Sequence, residues 1–517
     1  MTKVKALKAL IALALAAGCL FLPYESLGLA LNAVEIRVIA IFVLAALFWI
    51  LEPFPIWTTS MFVIVLMLLT VSDKGLMLSW GGETFFSFQA DPASGEKYAN
   101  LVSSKGLMAT FADPIIMLFL GGFFLAAAAT KYKLDMNLAR FLLKPFGKNP
   151  KFVLLGLMAI TALFSMFMSN TATAAMMLAI LAPVLSLFDE NDKGRAAFAL
   201  AIPIAANVGG MGTPIGTPPN AIALKALADM DATVSFGTWM AFGVPYVIIL
   251  ILLSWALLLW MFPISKKTME LNVGGEFLKT PKAIIVYITF AVTVLLWVLG
   301  KDIVGIDSNI VAMVPMAVFA LSQVITKKDL NGMSWDVLWL VAGGFALGVG
   351  LQKTGLAEHL IGAIPFASWP AFGLMVGAGV ICLFMANFMS HTATASLLVP
   401  IIAVVGVNVG ASLDVLGGVV ALLVSVAFAS SLGMSLPIST PPNALAHATG
   451  LVDTKGMAKT GVIIGVLGMV LTYAMMILLA SLGVFKPLPT SEETAGVPAQ
   501  ETAVAVPVAT VATPVQK

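Results

Sequence analysis

Charge is the scarcest property of this chain. Only 10% of its 517 residues are Asp, Glu, Lys or Arg, against about 25% in a soluble globular protein. With 60% hydrophobic residues beside so few charges, the chain cannot hide its apolar surface within itself, and lipid must solvate the rest. Cysteine is nearly absent. Cys19 and Cys382 lie in separate apolar runs, which excludes a disulfide framework and a cysteine metal site. HExxH, GxSxG and Walker-type patterns are missing, so no enzymatic chemistry is indicated. A net charge of +2 without a basic patch interleaved with aromatics gives no footing for nucleic acid.

What is present are apolar runs of span length, about 20 residues being needed to cross the hydrocarbon core. They lie at 6–23, 34–51, 55–72, 113–130, 196–224, 236–262, 283–300, 308–325, 336–352, 416–446 and 460–484. Two longer stretches, 152–187 and 368–404, carry polar residues at their middles. Each is either two spans or a re-entrant hairpin, and each returns to the side it left. Lys3, Lys5 and Lys8 before an apolar run to Leu22 would suit a signal peptide, but in a chain apolar throughout we expect an uncleaved first span. With the N-terminus in the cytoplasm, most of the 28 basic residues fall on that side, in 131–151, 188–195, 263–282, 326–335 and 447–459. The positive-inside rule is then obeyed at every turn. Both flanks of 152–187 are basic, so this stretch opens to the cytoplasm, whereas 368–404 opens outward. The segment 486–517, rich in Pro, Ala, Thr and Val, reads as a disordered tail.

The sequence contains itself twice. MSNTATAAMM at 168–177 returns as MSHTATASLL at 389–398, and GTPPNAIA at 216–223 returns as STPPNALA at 439–446. LGGFFLAAA at 120–128 has a weaker echo in AGGFALGVG at 342–350. Order and spacing are kept together, which chance similarity of apolar sequence would not do. Five full spans separate the two hairpins, and an odd number turns the second copy upside down. The fold class expected is therefore an all-α polytopic membrane protein of about 11 transmembrane helices plus two re-entrant hairpins in two inverted repeats. Residues 1–33 form an N-terminal span and loop. Residues 34–262 form the first repeat, with hairpin 152–187 and broken helix 196–224. Residues 283–485 form the second, with hairpin 368–404 and broken helix 416–446. Inverted repeats characterise alternating-access transporters, whose site lies where broken helices meet at the midplane.

The duplicated motifs suit that site. Ser169, Asn170, Thr171 and Ser390, His391, Thr392 lie at the hairpin centres, where backbone leaves helical geometry and needs partners that lipid cannot supply. Their hydroxyl and amide groups can hydrogen-bond a carboxylate, and the helix beginning at each tip points its positive end at the same place. Pro218-Pro219 and Pro441-Pro442 cannot continue a helix, so a span broken there offers carbonyl oxygens to a small cation. A lone membrane Ser or Thr usually bonds its own backbone, and a lone Pro is usually only a kink. Duplication in register is what lifts these residues above that. No span core sets Asp, Glu or Arg near the motifs. A dicarboxylate there needs a counter-charge, and bound cations are the obvious one.

The paired hairpin and TPPN motifs resemble the divalent anion–sodium symporters, carriers of succinate, malate, fumarate and citrate, over about residues 30–485. The resemblance implies a homodimer in a bacterial inner membrane, each protomer pairing a scaffold with an elevator-like transport domain. It implies no cofactor beyond the coupling sodium ions, whose first site would use Ser165, Ser169, Asn170 and the backbone of Gly216. The second would use Ser390, His391 and the backbone of Ser439. Substrate carboxylates would meet Ser169, Asn170, Thr171, Ser390, His391 and Thr392, with Thr217, Pro218, Thr440 and Pro441 nearby. The chain departs from the family at His391, where Asn is usual, and at Ala386, where a hydroxyl is usual. Both changes touch the second sodium site. The expected function is sodium-coupled import of a C4-dicarboxylate. The alternatives are sodium-independent dicarboxylate exchange, with His391 supplying positive charge, or a proton-coupled carrier.

Overall fold

The computed structural model of the chain describes residues 2–80, 83–91, 94–185, 188–189, 192–269, 277–363 and 369–485. The tail expected to be disordered, 486–517, lies outside the described residues. Helix follows helix. α1 (Lys3–Cys19), α2 (Ala33–Leu51) and α3 (Ile56–Thr70) match the first three expected spans. The segment 73–112, between the expected spans 55–72 and 113–130, holds an antiparallel ribbon of β1 (Met77–Trp80) and β2 (Glu83–Ser87), then α4 (Ser104–Ala109). Strands of four and five residues leave no mark in a search for runs of 20. α5 (Pro114–Lys131) and α6 (Leu134–Leu143) lead to the first hairpin, α7 (Pro150–Ser165) and α8 (Asn170–Leu185). The stretch 196–224 is broken, as its prolines required, into α9 (Gly194–Gly210) and α10 (Pro218–Ala228).

The second half runs through α11 (Phe236–Met261), α12 (Pro281–Val304), α13 (Ser308–Leu321), α14 (Lys327–Asn331), α15 (Trp335–Lys353) and α16 (Leu356–Ala363). The second hairpin is α17 (Ala371–Ala386) and α18 (His391–Val409), and the second broken span is α19 (Gly418–Ser431) and α20 (Pro441–Ala448). α21 (Thr454–Ser481) closes the described chain. Seven helices among the described residues are long and apolar enough to cross a membrane. The hairpin limbs α7, α8 and α17 have 16 residues each. At 1.5 Å per residue that is about 24 Å, short of the ~30 Å hydrocarbon core.

Local chemistry sets the helix starts. Asn32 caps α2 and shares a capping box with Glu35. Asp113, Asn149 and Thr280 each accept a first-turn N–H just before a proline that opens α5, α7 or α12. A proline costs nothing there, because that N–H has no helical partner. α1 docks on α2 through Ala9, Ala12 and Ala16, which meet Leu44 and Phe48. Small residues on one face let two membrane helices approach closely. Lys8 donates to the carbonyl of Leu51 at 3.0 Å, its positive charge at the negative end of α2.

The two hairpins pack alike. α7 and α8 lie on α9, while α17 and α18 lie on α19. Each short half-helix then crosses to the other half of the chain: α10 packs on α18 and α19, and α20 on α8 and α9. Gly209 lies against Ala162 and Gly433 against Ala386, so closely that a Cβ would strike backbone. This reciprocal crossing brings the two duplicated motifs together.

Candidate functional site

Four helices, α8, α10, α18 and α20, begin beside one cavity of about 370 Å³, within the usual range for a small-molecule site. From the first repeat, Ser169, Asn170, Thr171, Gly216, Thr217 and Pro218 line it. From the second come Ser390, His391, Thr392, Ser439, Thr440 and Pro441. Every residue expected to touch sodium or substrate therefore meets here except Ser165, which is fully buried behind the first tip. No Lys or Arg is among the lining residues. Positive potential comes instead from the four helix N-termini.

The prolines act differently from expectation. Pro218 and Pro441 open α10 and α20 at the first helical position, so each TPPN motif starts a half-helix rather than only ending one. Nor are the carbonyls at the breaks simply free. The Asn220 amide donates to the carbonyls of Gly210 at 3.1 Å and Thr213 at 2.8 Å. In the second repeat, the Asn443 amide donates to those of Met434 at 2.7 Å and Leu436 at 3.1 Å. The Thr213 hydroxyl donates to the Met166 carbonyl, and the Ser439 hydroxyl to that of Asn387 at 2.9 Å, tying each link to its hairpin tip.

At the tips, Ser169 accepts from the N–H of Ala172 at 3.2 Å and Ser390 from that of Ala393 at 3.1 Å. Each hydroxyl keeps its proton for another acceptor. The Asn170 amide is the centre of an oxygen cluster: Ser165 Oγ stands 2.7 Å from one of its terminal atoms, and the carbonyls of Ala206 and Gly216 stand 3.2 Å from the same atom. With nitrogen in that place, the amide's two hydrogens are shared among the three. With oxygen there, the Ser165 hydroxyl can donate to it at 2.7 Å, while the carbonyls of Ala206 and Gly216 face it with no hydrogen between, an arrangement that suits a small cation. Glycine is required at 210 and 216 because a Cβ on either would strike the other's carbonyl oxygen.

The second repeat differs at the equivalent point. His391 Nε2 lies 2.7 Å from the carbonyl of Gly433. A carbonyl only accepts, so Nε2 carries a proton and Nδ1 alone is left to accept or ligate. Ala386, at the position of Ser165, is fully buried against Gly433 and offers no oxygen from its side chain.

Sequence reasoning missed several lining residues. Phe119 and Phe123 of α5 supply an apolar wall, and Ser334 and Asp336 sit where α15 begins. Phe123 lies in the weak repeat 120–128, which was the signal available for it. Asn207 of α9 also lines the cavity, and its Nδ2 reaches across the repeats to Thr440 Oγ1 and Asn443 Oδ1, both at 3.3 Å. A lone amide in the apolar run AIPIAANVGG was its signal. A second cavity of about 360 Å³ lies among the ends of α5, α10, α11, α12 and α13 and includes Pro214. The link 211–217 thus stands between two cavities, Pro214 on one and Ile215 to Thr217 on the other.

Residues 46–417 match the family described as citrate transporter. An uncharacterized transporter of Haemophilus influenzae is 34% identical over 398 residues, covering 72% of this chain and 83% of the relative. The sodium-dependent dicarboxylate transporter SdcS of Staphylococcus saprophyticus is 29% identical over 488 residues, covering 83% of this chain and 92% of its own length. Among solved structures, the Alcanivorax borkumensis YdaH transporter superposes with a TM-score of 0.52 at 13% identity, covering 84% of this chain and 99% of that one. That likeness is one of fold alone.

Proposed function

Because the chain belongs to the citrate transporter family, a family of membrane carriers and not of enzymes, we propose that it is a secondary transporter that moves small dicarboxylate anions together with sodium. Relatives named sodium-dependent dicarboxylate transporters support this, as does the resemblance of the motifs to divalent anion–sodium symporters. One observation carries the reading: a cavity faced by four helix N-termini and by the hydroxyls of Ser169, Thr171, Ser390 and Thr392 has no Lys or Arg in its lining, yet has an oxygen cluster at Asn170. Helix ends and hydroxyls suit carboxylates. The oxygen cluster suits a small hard cation, which supplies the missing counter-charge.

In this reading the first sodium ion is held by Ser165, Ser169, Asn170 and the carbonyl of Gly216. The carboxylates of a succinate-, malate- or fumarate-type substrate meet the two hairpin tips, with Thr217, Pro218, Thr440 and Pro441 at the half-helix starts. The hairpins are re-entrant and the halves 34–262 and 283–485 are inverted, working as a homodimer in a bacterial inner membrane. The hairpins and broken helices move as one body against the remaining helices. Ile56, Ser334 and Asp336 line the cavity at helix ends that the charge distribution assigns to the cytoplasm, and in this reading the cavity is open to that side.

A second reading, dicarboxylate exchange without sodium, is favoured by His391. Its Nε2–H already gives a hydrogen to the carbonyl of Gly433, where a second cation would need oxygen. Purified protein in liposomes separates the two readings. Sodium coupling predicts that an inward sodium gradient drives accumulation of labelled succinate and that Asn170→Ala abolishes it. Uptake that ignores sodium and needs only internal succinate would replace symport by exchange. No transport of any dicarboxylate under either condition would overturn both.

A further inference from the structure

The amide of Asn207 can be oriented by hydrogen-bond bookkeeping alone. Asn443 spends its Nδ2 on the carbonyls of Met434 and Leu436, which turns its Oδ1 toward α9. That oxygen needs a donor, so Asn207 must present nitrogen to it, at 3.3 Å. The second hydrogen of the same nitrogen goes to Thr440 Oγ1, also at 3.3 Å. Thr440 Oγ1 caps α20 as well, accepting the N–H of Asn443 at 3.2 Å. A hydroxyl has two acceptor sites and one proton. Both acceptor sites of Thr440 are filled from within the protein, and neither partner can take its proton. Thr440 lines the cavity, and the proton is left to point there.

The first repeat lacks this device. Ser430 stands 223 residues after Asn207, the separation that also relates Gly216 to Ser439 and Asn220 to Asn443. Ser430 donates to Val426 in its own helix at 2.8 Å. Asn220 Oδ1 is left buried without a partner, and Thr217 makes no side-chain cap.

We propose that Asn207 is a positioning residue for the transported anion: by filling the lone pairs of Thr440 from across the repeat boundary, it makes that hydroxyl an obligate donor to one substrate carboxylate. The two half-sites are then unequal. Thr440 grips one carboxylate in a fixed direction, while Thr217 is free to turn and adapts to the other. Asn207 is 1% exposed and acts through Thr440, with its own Oδ1 unpartnered. The inference rests on the dicarboxylate reading above.

A double-mutant cycle for succinate tests it, using wild type, Asn207→Ala, Thr440→Ala and the double variant in liposomes. Loss of one oriented hydrogen bond, about 1 kcal/mol, should raise the KM for succinate about five- to tenfold in either single variant. In the Thr440→Ala background, Asn207→Ala should add nothing. The sodium concentration giving half-maximal uptake at saturating succinate should not move. If the two effects multiply, or sodium activation shifts as much as KM, Asn207 is structural and the proposal is wrong. Should Asn207→Ala not yield folded protein, Asn207→Ser takes its place under the same criterion. Wild-type uptake is the control for the dicarboxylate reading. Its absence would sink that reading, whereas multiplying effects in an active carrier sink only this one.

Discussion

Asn170 and His391 hold equivalent places at the two hairpin tips, and each is met by carbonyls of the broken helix beside it. Asn170 has Ser165 Oγ and the carbonyls of Ala206 and Gly216 within hydrogen-bonding distance, a set that an amide or a sodium ion can bridge. His391 instead gives an N–H to the carbonyl of Gly433, and the buried Ala386 removes the hydroxyl. The imidazole therefore fills with a donor the space where the first repeat gathers acceptors. Rebuilding the acceptors should rebuild the ion site. The variant Ala386→Ser/His391→Asn is expected to steepen sodium activation, its Hill coefficient rising from about one toward two. An unchanged curve from an active variant would show that His391 does not stand in for a cation.

Among the elements, the half-helices decide what the site can attract. α10 and α20 start on prolines, whose missing N–H is harmless in a first turn; the N–H of Asn220 goes to the Thr217 carbonyl and that of Asn443 to Thr440 Oγ1, so these ends act on the cavity through their dipoles. At the far end of α5, Lys131 donates to the carbonyl of Val324 at 2.8 Å and to the Asp329 carboxylate at 2.6 Å. This joins α5 to α14, a basic-rich turn that the charge pattern puts in the cytoplasm. Burial pushes the Asp329 carboxyl up. Hydrogen bonds from Lys131 and from the Thr326 hydroxyl and N–H outweigh this and bring it to about 2. An Asp is ordinarily near 3.9. Folding therefore favours the ionised form, and its contribution is complete above the ordinary value and lost as pH falls toward 2. Unfolding of detergent-purified protein should occur at a higher temperature in wild type than in Asp329→Asn at pH 6. The gap should shrink to about a third of that size by about pH 2.5. An equal gap at both values would mean that the clamp is not ionic.

At the scale of the whole molecule, the cavity holding both motifs is lined also by the starts of α3 and α15, and the link 211–217 separates it from the second cavity. A single cysteine at Ser334, with Cys19 replaced by Ser and the buried Cys382 retained, reports which side is open. A membrane-impermeant maleimide should label it from the cytoplasm and not from outside, and succinate with sodium should slow the reaction. Labelling from outside alone would reverse the assigned orientation.

Much of this was legible in the chain itself. Span-length apolar runs, lysine-rich loops, and two polar motifs repeated in order are one-dimensional signals. Eleven expected segments and two hairpins correspond to helices at nearly the same limits, because crossing a bilayer forces length and composition together. Ser169, Asn170, Ser390 and both TPPN motifs could be named because duplication marks them. The short strands 77–80 and 83–87, the short helices α6 and α16, and the aromatic wall of Phe119 and Phe123 carry no such period. The role of Asn207 was illegible for a further reason. Its partners lie more than 230 residues away, and their role depends on which hydrogen each group has left to give. Sequence alone determined that polar breaks exist in the apolar spans and that there are two of them. Tertiary structure decided that they meet, that prolines begin rather than end the helices there, and that the two halves are unequal. A hydrogen bond is settled by direction and by competition among neighbours, and those exist only once the chain is folded.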